Sequence, residues 1–176
     1  SSIAFTHLSN PVNEGDTVEV MPSMGESQIK IDYWELMVHN TSQSPKLIMA
    51  KRMDLDVVTG TNNTFCWSGS CFPGTILVSS RAENINNGDS SAAFAGIYNS
   101  FFLSGSTYVR YTFWDSINPS DSTFFIAKYN AETVGTNDLE SAEIPFNVYP
   151  NPTTGVVNYD VVENLESVKV YSSTMQ

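Results

Sequence analysis

Thr107-Tyr108-Val109-Arg110-Tyr111-Thr112-Phe113-Trp114-Asp115 alternates without interruption. On an extended chain Val109, Tyr111 and Phe113 share one face, and Tyr108, Arg110, Thr112 and Trp114 share the other. The stretch is built of aromatic and β-branched residues, which fit a pleated, half-buried surface. Ser116-Ile117-Asn118-Pro119-Ser120-Asp121 follows, a cluster of turn formers, and Thr123 to Tyr129 then reads as the next strand.

The same pattern extends upstream. In Ile31 to Asn40 the set Trp34, Leu36 and Val38 points one way, and Tyr33, Glu35, Met37 and His39 point the other. Asn40-Thr41-Ser42-Gln43-Ser44-Pro45 reads as a turn, and Lys46 to Met53 as a return strand completing a hairpin. Thr17 to Val20, Thr75 to Ser79 and Ser91 to Tyr98 are also strand-like, with Asn84-Ile85-Asn86-Asn87-Gly88-Asp89 as a further turn cluster. No long stretch has helical periodicity. About seven short strands over residues 1–130 predict an all-β fold, an immunoglobulin-like antiparallel sandwich. A jelly roll or small barrel is the alternative, since strand number alone does not set topology. Trp34 is expected in the core.

The 176 residues carry 19 acidic and 8 basic side chains, a net charge of −11. That balance excludes a generic nucleic-acid binder, because little is available to neutralise phosphates. No apolar run approaches the length of a transmembrane helix. Charge is unevenly spread. Asn130 to Glu143 is small, polar and acidic, so residues 131–143 read as a linker between a 1–130 module and a 144–176 tail. Two strand signals in the tail, Val156 to Val161 and Ser167 to Tyr171, are too few to bury a core alone.

Cys66 and Cys71 are separated by Trp67-Ser68-Gly69-Ser70, four residues that can turn the chain back on itself. A zinc site needs two more soft ligands, and a thioredoxin-type pair has two intervening residues. A local disulfide and an oxidising compartment are expected.

Sites of chemistry are sparse. His7 and His39 lack a Gly-x-Ser-x-Gly elbow, and His39 reads as a surface residue at a strand end. No carboxylate pair stands out for glycoside hydrolysis, so the chain is expected to be non-catalytic, with a small hydrolase as an alternative. No cofactor is expected. Calcium is the one ion whose oxygen ligands the turns offer, at Asp54-Leu55-Asp56 with Asn62 and Asn63, or at Asp115, Asn118 and Asp121. Asn and Asp are also ordinary turn residues, which is the simpler reading. Trp67, Tyr108 and Trp114 are candidate glycan contacts, because sandwich modules hold sugars on exposed aromatic rings. The competing reading has Trp67 covering the disulfide and Trp114 packed beneath a strand connection.

Phe146-Asn147-Val148-Tyr149-Pro150-Asn151-Pro152-Thr153-Thr154-Gly155 resembles the start of the C-terminal sorting domain of type IX secretion substrates in Bacteroidetes. The motif residues are Tyr149, Pro150, Asn151, Pro152 and Gly155, and Val168-Lys169-Val170-Tyr171 matches a later strand of that family. The resemblance covers about residues 144–176. It implies export through the periplasm to the cell surface or medium, with the secretion machinery as partner of the tail. It also implies a signal peptide before Ser1 and further strands after Gln176. More loosely, the front resembles immunoglobulin-like modules that precede such domains. The carriers are Val38-His39-Asn40 to Pro45, Phe65-Cys66-Trp67 to Gly74, and Arg110 to Asp115 with Asn118-Pro119. The expected role is an interaction or accessory module toward an extracellular protein or glycan, or a carbohydrate-binding module. In a bacterial protein the sequons at Asn40 and Asn62 are accidental.

Overall fold

The computed structural model describes residues 1–22, 26–131, 148–149 and 158–159. The chain forms two compact units, Ser1–Val134 and Gly135–Gln176. Strands of the first are β1 (Ile3–His7), β2 (Asn10–Val12), β3 (Thr17–Val20), β4 (Gln28–Ile31), β5 (Leu36–Asn40), β6 (Lys46–Asp56) and β7 (Asn62–Trp67). They continue with β8 (Ser70–Phe72), β9 (Glu83–Ile85), β10 (Ser90–Ser91), β11 (Ala95–Asn99), β12 (Gly105–Asp115) and β13 (Ser122–Ala131). In the second unit β14 (Val148–Tyr149) pairs antiparallel with β15 (Asn158–Tyr159). Tyr149 of the sorting motif lies in β14. Pro150, Asn151, Pro152 and Gly155, and the expected linker beyond Ala131, lie outside the described residues.

The expected all-β sandwich is observed, with more strands than the alternation marks. A five-stranded sheet runs β3-β13-β12-β6-β9, and two four-stranded sheets run β10-β5-β1-β2 and β4-β11-β7-β8. Pairing is antiparallel throughout the described strands except between β3 and β13, which run parallel. Rings from both smaller sheets meet the inner face of the large one. Phe5 of β1 lies 5.2 Å from Phe113, Trp67 of β7 lies 5.1 Å from it, and Phe94, just before β11, lies 5.4 Å from it. These edge-on pairs place the positive rim of one ring on the negative face of the next. Val109, Tyr111 and Phe113 are all buried, as their alternation requires. Gly96 of β11 stands over the hydrogen-bonded hydroxyls of Tyr111 and Tyr129, 3.0 Å apart, where a Cβ has no room.

Three local expectations are corrected. Ile31 to Asn40 is not one strand: β4 ends at Ile31, the chain turns, and β5 begins at Leu36. The Asp32 carboxylate accepts the Tyr33 N–H, and Glu35 accepts the Asp32 N–H, so side chains take donors that a sheet would have used. Trp34 sits in that turn at φ +74°, 79% exposed, and is no part of the core. Nor do β5 and β6 form a hairpin. β5 pairs with β1 and β10, whereas β6 pairs with β12 and β9, so the connection crosses between sheets. Asn40 holds this crossing: its buried amide donates to the carbonyls of Ser44, Ile85 and Asn86. The sequon at Asn40 therefore has no free amide to glycosylate. Finally, Thr75 to Ser79 meets β6 through a single bridge, Lys51 with Val78, flanked by the Arg52 N–H to Leu77 and the Ser79 N–H to Ala50.

Three charges close one end of the sandwich. Lys46 Nζ lies 3.1 Å from Asp115 and 2.8 Å from Asp121, all three nearly buried. Asp121 also accepts from the Ser1 hydroxyl and from the backbone N–H and hydroxyl of Ser2. Burial opposes ionisation of Asp121, but these bonds outweigh it and hold the carboxyl well below the usual carboxylate range. Because the folded value is depressed, the stabilisation is complete above the ordinary carboxylate pKa of about 4 and is lost as pH falls through the depressed value.

Substituting Lys46→Met leaves two carboxylates facing each other without a cation. A loss of about 3–5 kcal/mol at neutral pH is expected by urea unfolding, and a loss under about 1 kcal/mol would mean that water already solvates the pair. Cys66 and Cys71 form the expected disulfide, facing each other across β7 and β8. Intact mass should rise by two hydrogens on reduction, with stability falling by about 2 kcal/mol for a loop this short. Two alkylatable thiols in the unreduced protein would contradict the bridge.

Candidate functional site

The alternation that buries Val109, Tyr111 and Phe113 turns Tyr108, Arg110, Thr112 and Trp114 to the outer face of the large sheet. On one side β6 sets Met49, Lys51 and Met53 opposite Trp114, Thr112 and Arg110. On the other, β13 sets Ser122, Phe124 and Ile126 opposite the same three. Trp114, Lys51, Thr112, Pro119 and Ser122 line an open depression of about 280 Å³. Beside it the Arg110 guanidinium lies 3.7 Å over the Phe124 ring, a cation–π contact that fixes the cation at the surface. Its Nε has no hydrogen-bond partner among the described residues.

Charge on this face is distinctive. The described residues include seven basic side chains, Lys30, Lys46, Lys51, Arg52, Arg81, Arg110 and Lys128. Four are ion-paired: Lys30 with Asp32, Lys46 with Asp115 and Asp121, Arg52 with Asp54, and Lys128 with Glu19. Lys51, Arg81 and Arg110 make no ion pair among the described residues. Lys51 and Arg110 occupy diagonal positions on β6 and β12, a relation that sets side chains about 7–8 Å apart. Lys51 is thus diagonal to Trp114, and Arg110 lies four residues from Trp114 along β12, both without an ion-pair partner among the described residues.

The structure separates the three aromatic residues singled out from sequence. Tyr108 and Trp114 share the outer face, half-buried, about 20 Å apart along β12 at ordinary strand rise. Trp67 does not join them. It is fully buried, its indole N–H donating to the Ile48 carbonyl at 2.8 Å, so it offers no ring to a sugar. Its burial follows from β7 lying in the middle of the sandwich, with the cysteine hairpin turning only after it. Of the calcium candidates, Asp56, Asn62 and Asn118 are exposed, and several of the others have partners within the protein. Asp115 and Asp121 do converge, but on Lys46, and Asn118 accepts from Ser120. Asp54 lies beside Arg52 and accepts from the Asn63 amide. Among the described residues no group of three or more His, Cys, Asp or Glu is placed to hold a metal ion. His39 Nε2 lies 2.9 Å from the Thr6 hydroxyl, and burial pushes its pKa down. Burial also lowers His7, against the opposing charge of Glu35.

Sequence reading missed a second set of exposed apolar groups. Trp34 is joined at the surface by Leu8, whose N–H donates to the Glu35 carbonyl and which itself lies at φ +47°. Elsewhere Phe101 and Phe102, at φ +51° and +64°, are exposed in the turn after β11. Bulky residues in the left-handed region are uncommon, and a composition-based reading has no means to see a dihedral angle.

No protein-family model matches the chain, and no curated protein matches it in sequence. Among solved structures the chain is similar to the N-terminal domain of PorA, at 10% identity and a TM-score of 0.55, over 73% of this chain and 96% of that one. It also aligns with PapD-like domain 7 of human CEP192, at 9% identity and a TM-score of 0.40, over 74% and 85% of the two chains. The first likeness is one of fold.

Since Trp34 packs against little and occupies the left-handed region, Trp34→Gly should stabilise the protein. A gain of about 1 kcal/mol, read as a rise of a few degrees in Tm, is expected from relief of the backbone. A fall in Tm would show that the indole makes contacts that outweigh the strain.

Proposed function

We propose that this chain is a non-catalytic interaction module of a secreted or cell-surface protein, exported by type IX secretion, and that the outer face of the five-stranded sheet makes the contact. The observation that carries the reading is the face itself. It presents Trp114, Tyr108 and the methionines of β6, with Lys51 and Arg110 making no ion pair among the described residues. A sheet face that is both apolar and charged, yet only partly covered among the described residues, is a surface suited to a ligand. Export is supported by the resemblance of Phe146 to Gly155 to a sorting domain and by a disulfide, which persists in oxidising compartments. The likeness to the N-terminal domain of PorA, at 10% identity, supports the sandwich fold of the module.

The reading predicts that in a type IX-competent host the full-length protein appears outside the cell with the sorting segment removed. Deletion from Phe146 onward should leave the front unit folded and held in the periplasm. Normal secretion of the deleted form would sink the sorting role. Misfolding and degradation would instead indicate a tail that completes the sandwich by strand addition. The contact surface is tested on the exported protein: a Lys51→Ala, Trp114→Ala variant should be secreted normally but shift from the cell-surface fraction to the medium. Unchanged distribution would remove this face from the contact.

A further inference from the structure

The geometry points to the depression beside Trp114 as a binding site for an acidic polysaccharide, one whose sugar rings carry carboxylates. This rests on the outer face being the contact surface and names what it contacts. Each wall of the depression supplies one element of such recognition. Trp114 offers a half-buried ring for a sugar face to stack on, the hydroxyls of Thr112 and Ser122 can exchange hydrogen bonds with sugar hydroxyls, and Lys51 supplies the charge. Arg110, diagonal to Lys51, adds a second cation already pinned over Phe124. Neither cation is neutralised by an acid of the described residues, so a ligand carboxylate is the complementary group.

Strand order argues for a glycan over a peptide. β12 is central, hydrogen-bonded to β6 on one side and β13 on the other, so its backbone has nothing left for an added strand. A ligand here must use side chains alone, through ring stacking and charge. The site is also confined to one end of the face. Toward Tyr108, Lys128 is paired with Glu19 at 2.8 Å, and Asp56 stands opposite Tyr108. Carboxylate recognition is therefore concentrated at Trp114, with Tyr108 at most an outlying stacking position for a long polymer.

The test is calorimetric titration of the full chain with oligogalacturonate and oligoalginate, and with their methyl esters, in which the same backbone carries no charge. Binding of at least one acid is expected, with its ester weaker by about tenfold or more, the low end of what a charge-assisted hydrogen bond contributes. Lys51→Met and Trp114→Ala should each weaken the acid by a similar factor with unchanged Tm, while Tyr108→Ala changes it less than about threefold. Added salt should weaken the acid and leave any ester binding alone. If Trp114→Ala lowers Tm, Lys51→Met alone decides, since its side chain is at the surface. Failure to bind either acid, equal affinity for acid and ester, or indifference to Lys51→Met overturns the proposal. Should that happen while Trp114 and Lys51 still govern retention on the cell surface, the contact face stands with a different ligand, such as a protein. If retention is also indifferent, both readings fall.

Discussion

Phe113 is where the sandwich is joined. Its ring receives Phe5 from one four-stranded sheet, Trp67 from the other, and Phe94 from the segment that runs between them. Phe94 also packs edge-on against Tyr111 and Phe125, so the cluster spans two neighbouring strands of the large sheet. Burial of rings this size is the main favourable term available to a domain with so few charges, and the edge-to-face geometry adds direction to it. Two short sheets that do not hydrogen-bond to each other are thereby held against one long one.

That arrangement makes demands on polar groups, and the chain meets them internally. Arg52 points from β6 into the interior, where carbonyls of Asn63 and Gly74 and the carboxylate of Asp54 receive it. Lys46, six residues earlier and on the same face of the strand, does the same at the other end with Asp115 and Asp121. The inward cations of β6 are thus committed to acids, while Lys51, one residue from Arg52 and on the opposite face, is not. Period-two geometry alone assigns one cation to structure and its neighbour to the surface. The candidate face is a by-product of the same alternation that builds the core.

Backbone conformation supplies a different kind of surface. Trp34, Phe101 and Phe102 are exposed and left-handed, a combination that a stability argument alone would remove. They lie in the turn after β4 and the turn after β11. Antiparallel pairing of these two strands, with Gly96 opposite Ile31 and Asn99 opposite Gln28, puts those turns at opposite ends of the sheet. Trp34 and the Phe101–Phe102 pair are therefore separate features and not one patch.

The sequence by itself determined that this protein is all-β, that Val109, Tyr111 and Phe113 share one face and Trp114 the other, and that Cys66 and Cys71 meet. Each of these follows from spacing along a few consecutive residues, where strand period or loop length leaves little choice. Tertiary structure decided the rest. Trp34, expected in the core, lies at the surface, and of the two readings left open for Trp67 the buried one holds, because a tryptophan's hydrophobicity does not say whether its strand continues or turns. Asp32 and Glu35 ended β4 through hydrogen bonds that alternation cannot register. Strands β5 and β6 alternate as a hairpin would, yet pair with β1 and β12, since either arrangement buries the same residues locally and only distant partners distinguish them. The candidate site has the same origin. Lys51 and Trp114 are 63 positions apart in the chain, and their meeting depends on a register between β6 and β12 that pairing, not sequence proximity, sets.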